Sequence, residues 1–306
     1  MNISRHLFII SYMDVLQTIS MVFSRAERIP INENSKFIFF SDCHRGDGSW
    51  ADDFADNKNI FYHALSHYYN NGFTYIELGD GDELWKNSHF SVIREAHSNV
   101  FKLLVKFHES GRLYIIFGNH DIERANSNTV KNTMEEYYSR HKDKYETLFY
   151  RMRVYESIVL KNSENNRELF LLHGHQADTI HNWLWHINRF MTRRVLRYLQ
   201  LFGIKDPTSP AVNKRKRARI ERLLSEWARV NNTILIAGHT HKPLFPTKDE
   251  PQYYNTGSCV HPRCITGIEL ENSQLTLVKW SISAKTDGCL FVEKDILEGP
   301  LRISKE

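Results

Sequence analysis

Cysteine is scarce in this chain: Cys43, Cys259, Cys264 and Cys289 are the four among 306 residues. None of them forms a CxxC pair, and four are too few to staple a small fold. A disulfide scaffold is therefore excluded, and a reduced, cytoplasmic setting fits best. Long apolar runs are lacking as well, and no stretch is long enough to span a bilayer. The greasy segment Leu7–Phe23 carries Asp14, Gln17 and several Ser and Thr residues, and no small-residue cleavage site follows it, so it does not read as a signal peptide. Its apolar residues Phe8, Tyr12, Leu16, Ile19 and Phe23 recur at helical spacing. That pattern predicts a helix packed on the body or on a partner copy, with an interfacial membrane helix as the alternative. Internal repeats and low-complexity linkers are absent.

What is present reads as a globular protein. Hydrophobic residues make up 41% and charged residues 25%, and the length suits one large domain or two small ones. The net charge of +4 is too small to imply nucleic acid as a partner. The charge is uneven, however. Residues 189–222 hold 11 Lys/Arg against Asp206 and Glu221, so a basic segment interrupts a mildly acidic chain. Histidine is abundant at 16 residues, and several of these fall in short clusters.

The clusters follow a rule. Leu113-Tyr114-Ile115-Ile116-Phe117 reads as a buried strand and stops on Gly118-Asn119-His120-Asp121. Lys36–Phe40 stops on Ser41-Asp42-Cys43-His44, and Phe73–Leu78 on Gly79-Asp80-Gly81-Asp82. Glu168–Leu172 stops on His173-Gly174-His175, and Thr233–Ala237 on Gly238-His239-Thr240-His241. Helical segments are predicted at 57–70, 92–109 and 129–148, and a hairpin at 154–172. Strand–helix alternation in the first half predicts a parallel sheet. The strand-rich tail predicts a second, more antiparallel sheet packed on it.

Polar groups at the carboxyl ends of buried strands stand where open α/β folds place ligands. Carboxylates, imidazoles and one amide, without thiolate, suit Mn²⁺, Fe or Zn²⁺. Seven or eight donors are too many for one ion, whereas two ions sharing a carboxylate would use them all. Such a pair lowers the pKa of bound water and neutralises charge on a phosphoryl group. The glycines Gly79, Gly118, Gly174 and Gly238 suit sharp turns beside the ions. Strand alternation sends Asp42 and His44 to one side and Cys43 to the other, where it reads as a packed core thiol.

The ordered set D-x-H, GD, GNHD, HGH, GHTH resembles the calcineurin-like metallophosphoesterase superfamily over about residues 36–260. The resemblance implies an α/β fold, a four-layer α/β/β/α sandwich with a dinuclear site. It implies that Asp42, His44 and His241 hold one ion and that Asn119, His173 and His239 hold the other. Asp80 would bridge them, and the ions would most readily be Mn²⁺. It further implies that His120 is the catalytic histidine near the leaving group, with Asp121 orienting it. Arg45 and His175, close to the motifs, are candidate substrate contacts. Asp82 and Glu83 are left between an orienting and a solvated role.

Between the fourth and fifth motifs lies a helical excursion with an apolar stripe from Trp183 to Phe202. Arg189, Arg193 and Arg197 recur every four residues on another face and are candidate phosphate contacts. The expected organisation is an N-terminal helical extension at 1–30, a core at 31–177 and 232–306, and a basic amphipathic cap at 178–231. Such a cap would meet phosphates or the inner membrane face, or would simply pack on the core with a solvated basic side. The layout is similar to that of bacterial UDP-diacylglucosamine diphosphatases, which carry Arg where His120 stands and HGD where this chain has HGH. The expected activity is hydrolysis of a phosphoester or pyrophosphate bond in a phosphorylated small molecule, lipid- or nucleotide-linked. A phosphoprotein phosphatase and a catalytically silent binding scaffold are the alternatives.

Overall fold

A computed structural model describes residues 3–139, 143–178 and 213–303. The chain begins with helix α1 (Ile3–Arg25) and strands β1 (Glu27–Ile31) and β2 (Phe37–Phe40). Helix α2 (Lys58–Asn70), strand β3 (Thr74–Leu78), helices α3 (Phe90–Ala96) and α4 (Ser98–Glu109) and strand β4 (Leu113–Ile116) follow. Helix α5 (Ser127–Met134) leads into β5 (Glu136–Ser139), β6 (Lys144–Thr147), β7 (Val154–Tyr155), β8 (Ser157–Asn162) and β9 (Glu168–Leu172). Helix α6 (Lys214–Val230) precedes β10 (Ile234–Ala237), β11 (Tyr253–Asn255), β12 (Cys264–Glu271), β13 (Gln274–Ala284) and β14 (Leu290–Arg302).

Two sheets face one another. One has seven strands in the order β14-β13-β12-β2-β3-β4-β7, and the other has five in the order β1-β8-β9-β10-β11. The run β2-β3-β4-β7 is parallel, as strand–helix alternation requires. The strand-rich tail differs from expectation. Only its first strand, β11, joins the second sheet; the rest extends the first, with β12 pairing antiparallel beside β2 and β13–β14 following outward. The second sheet instead assembles from β1, β8, β9, β10 and β11. Alternation along each strand supplies the layers. Ile38 and Phe40 face outward beneath α2 and α4, while Phe39, Ile76 and Ile116 point inward against Ile158, Leu169 and Ile236. On the far side α1 and α6 cover the five-stranded sheet, burying Val15, Ile19 and Val22 with Ile220, Leu223, Leu224 and Trp227. The result is the four-layer α/β/β/α sandwich.

Three local expectations change. The predicted helix at 92–109 is two helices, because His97 leaves the helical region and spends its ring nitrogen on the buried Asp52 at 2.8 Å. The predicted helix at 129–148 ends at Met134, and the tyrosine-rich stretch beyond it forms the hairpin β5–β6. The strand predicted from Val154 is divided: Val154 and Tyr155 pair with β4, and from Ser157 the chain pairs with β9 in the other sheet. Among the described residues, no helix is long and apolar enough to cross a membrane.

Helices α1 and α6 also bear on the expected organisation. Most of the extension at 1–30 is α1, an outer layer of the sandwich, and β1 begins within it. The last part of the expected cap, from Lys214, is α6, whose apolar face is core, so it cannot be part of a separate cap. The remainder, including Arg189, Arg193 and Arg197, lies outside the described residues. Trp227 joins the two helices to the sheet: its ring lies 5.3 Å from Phe23 and 5.1 Å from Phe170, and its Nε1 donates to Ser20 Oγ at 2.9 Å. Trp227→Ala is expected to destabilise the protein by about 3–5 kcal/mol. Urea unfolding followed by far-ultraviolet circular dichroism measures this, and a midpoint unchanged from wild type would contradict the packing.

Candidate active site

The five motif-bearing strand ends do not lie on one sheet. β2, β3 and β4 deliver Asp42, His44, Asp80, Asn119 and His120, whereas β9 and β10 of the facing sheet lead to His173, His239 and His241. The carboxyl ends meet across the sandwich. Five of these residues, Asp42, His44, Asp80, His239 and His241, have left-handed backbone with φ between 47° and 67°. Non-glycine residues adopt that region at a cost, and it concentrates at functional sites. Here it turns each side chain off the strand line into the cleft. Two glycines are needed by close approach. A Cβ on Gly118 would strike Asp80 Oδ1, and one on Gly238 would strike Ser41 Oγ.

Donor atoms converge in three groups, the third being His44, Glu83 and His120. In the first, Asp42 Oδ1 lies 3.1 Å from His241 Nε2, and His44 Nε2 lies 3.2 Å from the same nitrogen. In the second, Asp80, His173 and His239 bring one ligand atom each within 4.8 Å of the others. Asp80 Oδ2 stands between the groups, 3.2 Å from His173 Nε2 and 3.8 Å from His44 Nε2. Two ligands about 2.1 Å from one ion at tetrahedral or octahedral angles lie roughly 3–3.5 Å apart. The separations of 3.1, 3.2 and 3.2 Å match that spacing, and the 3.8 Å between Asp80 and His44 is somewhat longer.

Hydrogen bonding supports the same assignment. Asp42 Oδ1, Asn119 Oδ1, His173 Nε2 and His239 Nε2 are buried and have no hydrogen-bond partner among the described residues. Buried polar atoms left this way are costly unless a ligand satisfies them. Other atoms of Asp42, Asp80 and His173 are engaged. His173 Nδ1 donates to the Leu78 carbonyl at 2.8 Å, which leaves Nε2 as the ligand nitrogen. Asp42 Oδ2 accepts from the His239 amide at 2.9 Å, and Asp80 Oδ1 accepts from the His120 amide at 2.8 Å. The donor set of carboxylate, amide oxygen and imidazole thus fits a pair of divalent cations, with Asp80 shared.

Charge shifts follow from this crowding. Burial works against the ionised Asp80, but the His173 and His120 rings outweigh it and hold its carboxyl well below the usual range. Burial also disfavours charge on His173, yet Asp80 and Asp42 raise its pKa to about 9. His239 is driven down to about 4, first by burial. His175 is buried too, and burial followed by the neighbouring His173 and His239 drives its pKa far down. Its Nδ1 has no hydrogen-bond partner among the described residues, and its ring lies 5.5 Å from that of His173.

Two expected roles are corrected. Arg45 is not a substrate contact. Its side chain is buried, donating twice to Glu77 at 2.7 and 2.8 Å and from Nε to Asp82 at 2.6 Å. Those bonds occupy the guanidinium fork and aim it away from the cleft. Asp121 does not orient His120. It accepts from the Gly118 and Gly81 amides and pairs with Arg124 at 3.2 Å, and burial raises its pKa to about 6. The orienting carboxylate is Glu83, with Oε1 2.9 Å from His120 Nδ1 and Oε2 3.3 Å from His44 Nδ1. Taking both Nδ1 atoms, it leaves the Nε2 atoms of His44 and His120 to other partners. Asp178 was not anticipated. It lies 3.6 Å from His239 Nε2 and 2.8 Å from Lys216 of α6. It stands five residues after His173, and only its place in that motif hinted at it.

A sequence-family profile for calcineurin-like phosphoesterases matches residues 35–243. The chain belongs to this family. Every residue named above as a cation ligand lies within the matched span. Among solved structures, Vps29 from Chaetomium thermophilum is similar, with 13% sequence identity and a TM-score of 0.39. That likeness covers 86% of this chain and 96% of the Vps29 chain. No curated protein matches in sequence.

The loop after the first motif is pinned by Asp52, which accepts from the Gly46, Gly48 and Phe54 amides and from His97. Burial pushes its pKa up, but the His97 bond and these amides outweigh burial and hold it below the ordinary value. Its contribution is therefore complete above about pH 4, the unfolded value, and is lost as pH falls through the lower folded value. Asp52→Asn is expected to lower stability by about 1–3 kcal/mol at pH 7. The gap to wild type should narrow below about pH 4 in urea titrations. A gap that widens in acid would contradict the assignment.

Proposed function

We propose that this protein is a di-metal phosphohydrolase that cleaves a phosphoester or pyrophosphate bond in a phosphorylated small molecule, lipid- or nucleotide-linked. One observation carries the reading: two groups of donors, with four buried atoms unpartnered among the described residues, converge on a carboxylate, Asp80, beside a histidine held by its own carboxylate. Asp42, His44 and His241 would hold one ion and Asn119, His173 and His239 the other. The donor set favours Mn²⁺, with Fe or Zn²⁺ as the nearest substitutes. Bound ions of this kind supply a lowered pKa for coordinated water and a positive field for the phosphoryl oxygens.

The remaining work falls to the chain. His120 keeps Nδ1 on Glu83, so its free Nε2 is the atom placed to give a proton to the departing oxygen. Burial works against the protonated ring, but the charges of Glu83 and Asp80 outweigh it and favour the form a general acid must start from. His175, lining the same end of the cleft, is a further substrate-side group. The cations of α6 enter the cleft through Lys216, which neutralises Asp178 beside His239 and keeps the wall of the site from becoming uniformly acidic. Free cysteines and the absence of a spanning helix among the described residues accord with a cytoplasmic enzyme, with any membrane contact peripheral.

The test uses protein purified with manganese and offered p-nitrophenyl phosphate, bis-p-nitrophenyl phosphate, a UDP-sugar and a phosphopeptide. Hydrolysis of one or more of the small substrates, lost on chelation and restored by manganese, is the expected result. Asp80→Ala should abolish both turnover and stoichiometric metal uptake. His120→Ala should keep the metal and lose about 10²–10⁴-fold in turnover. Near wild-type turnover in either variant sinks the assignment, and an inert protein without bound metal favours a binding scaffold. Activity confined to the phosphopeptide would favour the phosphoprotein reading.

A further inference from the structure

Trp85 stands five residues after Asp80 and has no part in the chemistry described so far. It is buried, and its indole stacks on the His120 ring with centroids 4.3 Å apart and planes inclined at 22°. The His44 ring meets His120 edge-on, at 4.6 Å and 88°. Glu83 takes Nδ1 at 2.9 Å. His120 is thus held through a face, an edge and one polar atom. Its other nitrogen, Nε2, has no hydrogen-bond partner among the described residues, and the side chain keeps 21% of its surface exposed.

A single hydrogen bond leaves an imidazole free to swing about the line joining nitrogen and oxygen. The edge contact from His44 limits that swing only on one side. A flat partner lying along the whole face removes the freedom, and indole, the largest aromatic face among the side chains, does so best. Orientation matters because a proton donor misplaced by about 1 Å forfeits as much as 10²-fold in rate.

We propose that Trp85 is a positioning residue: it fixes the plane of His120 so that Nε2 meets the departing oxygen, acting through His120 and not on the substrate. The role rests on the phosphohydrolase reading above. It carries a signature that a general loss of packing lacks. Departure of a poor leaving group needs the proton, and departure of a good one hardly does.

Trp85→Leu and Trp85→Phe, in the full chain loaded with manganese, are compared on phenyl phosphate and p-nitrophenyl phosphate. Trp85→Leu is expected to lower kcat about 10–100-fold on phenyl phosphate and far less on p-nitrophenyl phosphate. KM should stay within about twofold, and manganese content should equal wild type. Trp85→Phe, which keeps a ring face, should recover most of the loss. Equal losses on both esters, a loss carried by KM, or a Phe variant as poor as the Leu variant overturns the role. A second measurement is independent of turnover. In metal-free protein at about pH 5, where the imidazole is protonated, a stacked imidazolium quenches indole emission, so His120→Ala should brighten wild-type fluorescence but not that of Trp85→Phe. Unchanged emission means that the stack does not exist, and the role falls even if the enzyme is active. Brightening without hydrolysis by the wild type places the failure in the phosphohydrolase reading, and the positioning role falls with it.

Discussion

The structure turns on bringing like donor atoms together out of water. Carboxylate and imidazole atoms stand 3.1–3.9 Å apart around Asp42, Asp80, His44 and His241, and Asp42 Oδ1 has no hydrogen-bond partner among the described residues. Asp42 attracts His241 and Asp80 attracts His173, but the scaffold also holds the cluster from behind. Backbone bonds between strand exits bear that load. Asp42 N donates to Gly79 O, His44 N to Asp80 O, Arg45 N to Gly81 O and Gly238 N to His173 O, each at 2.9–3.1 Å. They extend the parallel pairing past the ends of the strands and keep five ligand residues in left-handed backbone, a conformation worth roughly 1–3 kcal/mol of strain at each.

Behind the first sheet's share of the site lies a ladder of buried charge. Tyr75 donates to Glu77, Glu77 accepts from Arg45, Arg45 donates to Asp82, and Arg124 links Asp82 to Asp121. Buried ion pairs of this kind add little net stability over apolar packing, yet breaking one costs about 3–5 kcal/mol. Their value here is geometric. Arg45 belongs to the exit of β2, Glu77 and Asp82 to β3 and its exit, and Asp121 and Arg124 to the exit of β4. The ladder therefore ties the three loops that carry Asp42, Asp80 and Asn119. The Gly118 and Gly81 amides bind Asp121 for the same reason, which is why that carboxylate is unavailable to His120.

Much of this was legible in the sequence. A buried strand that stops on a side chain able to bind a metal is a local signal, and five of them in order marked residues that the fold brings to one cleft. The roles of Arg45, Asp121 and Glu83 were not legible, because each depends on which loop lies beside which. Arg45 follows a ligand directly, yet strand alternation combined with a left-handed turn at His44 sends it inward to Glu77. Glu83 and Asp82 are sequence neighbours with opposite destinations, one toward His120 and one toward Arg45 and Arg124. The assignment of strands to sheets was hidden for a related reason. Between Tyr155 and Ser157 a single residue, Glu156, moves the chain from one sheet to the other, and no composition or periodicity marks it.

The division of labour between the sheets has a consequence for how the site forms. The seven-stranded sheet contributes both ligand carboxylates, Asp42 and Asp80, and the five-stranded sheet contributes His173, His239 and His241. Neither half holds a complete set for either ion, so the donors converge only when the sheets have docked on their shared apolar layer of Phe39, Ile76, Ile116, Ile158, Leu169 and Ile236. Helix α6 adds a third dependence. Glu221 receives the Thr240 hydroxyl at 3.3 Å and Lys216 reaches Asp178, so the helix that covers the outer face also braces the fifth motif and the wall beside His239. A cation bridging the two halves would in turn stabilise the docked sandwich over the open chain, since it finds its ligands only there. Metal binding and sheet docking would then be one equilibrium, because the donors that a cation needs are brought together by the docking itself.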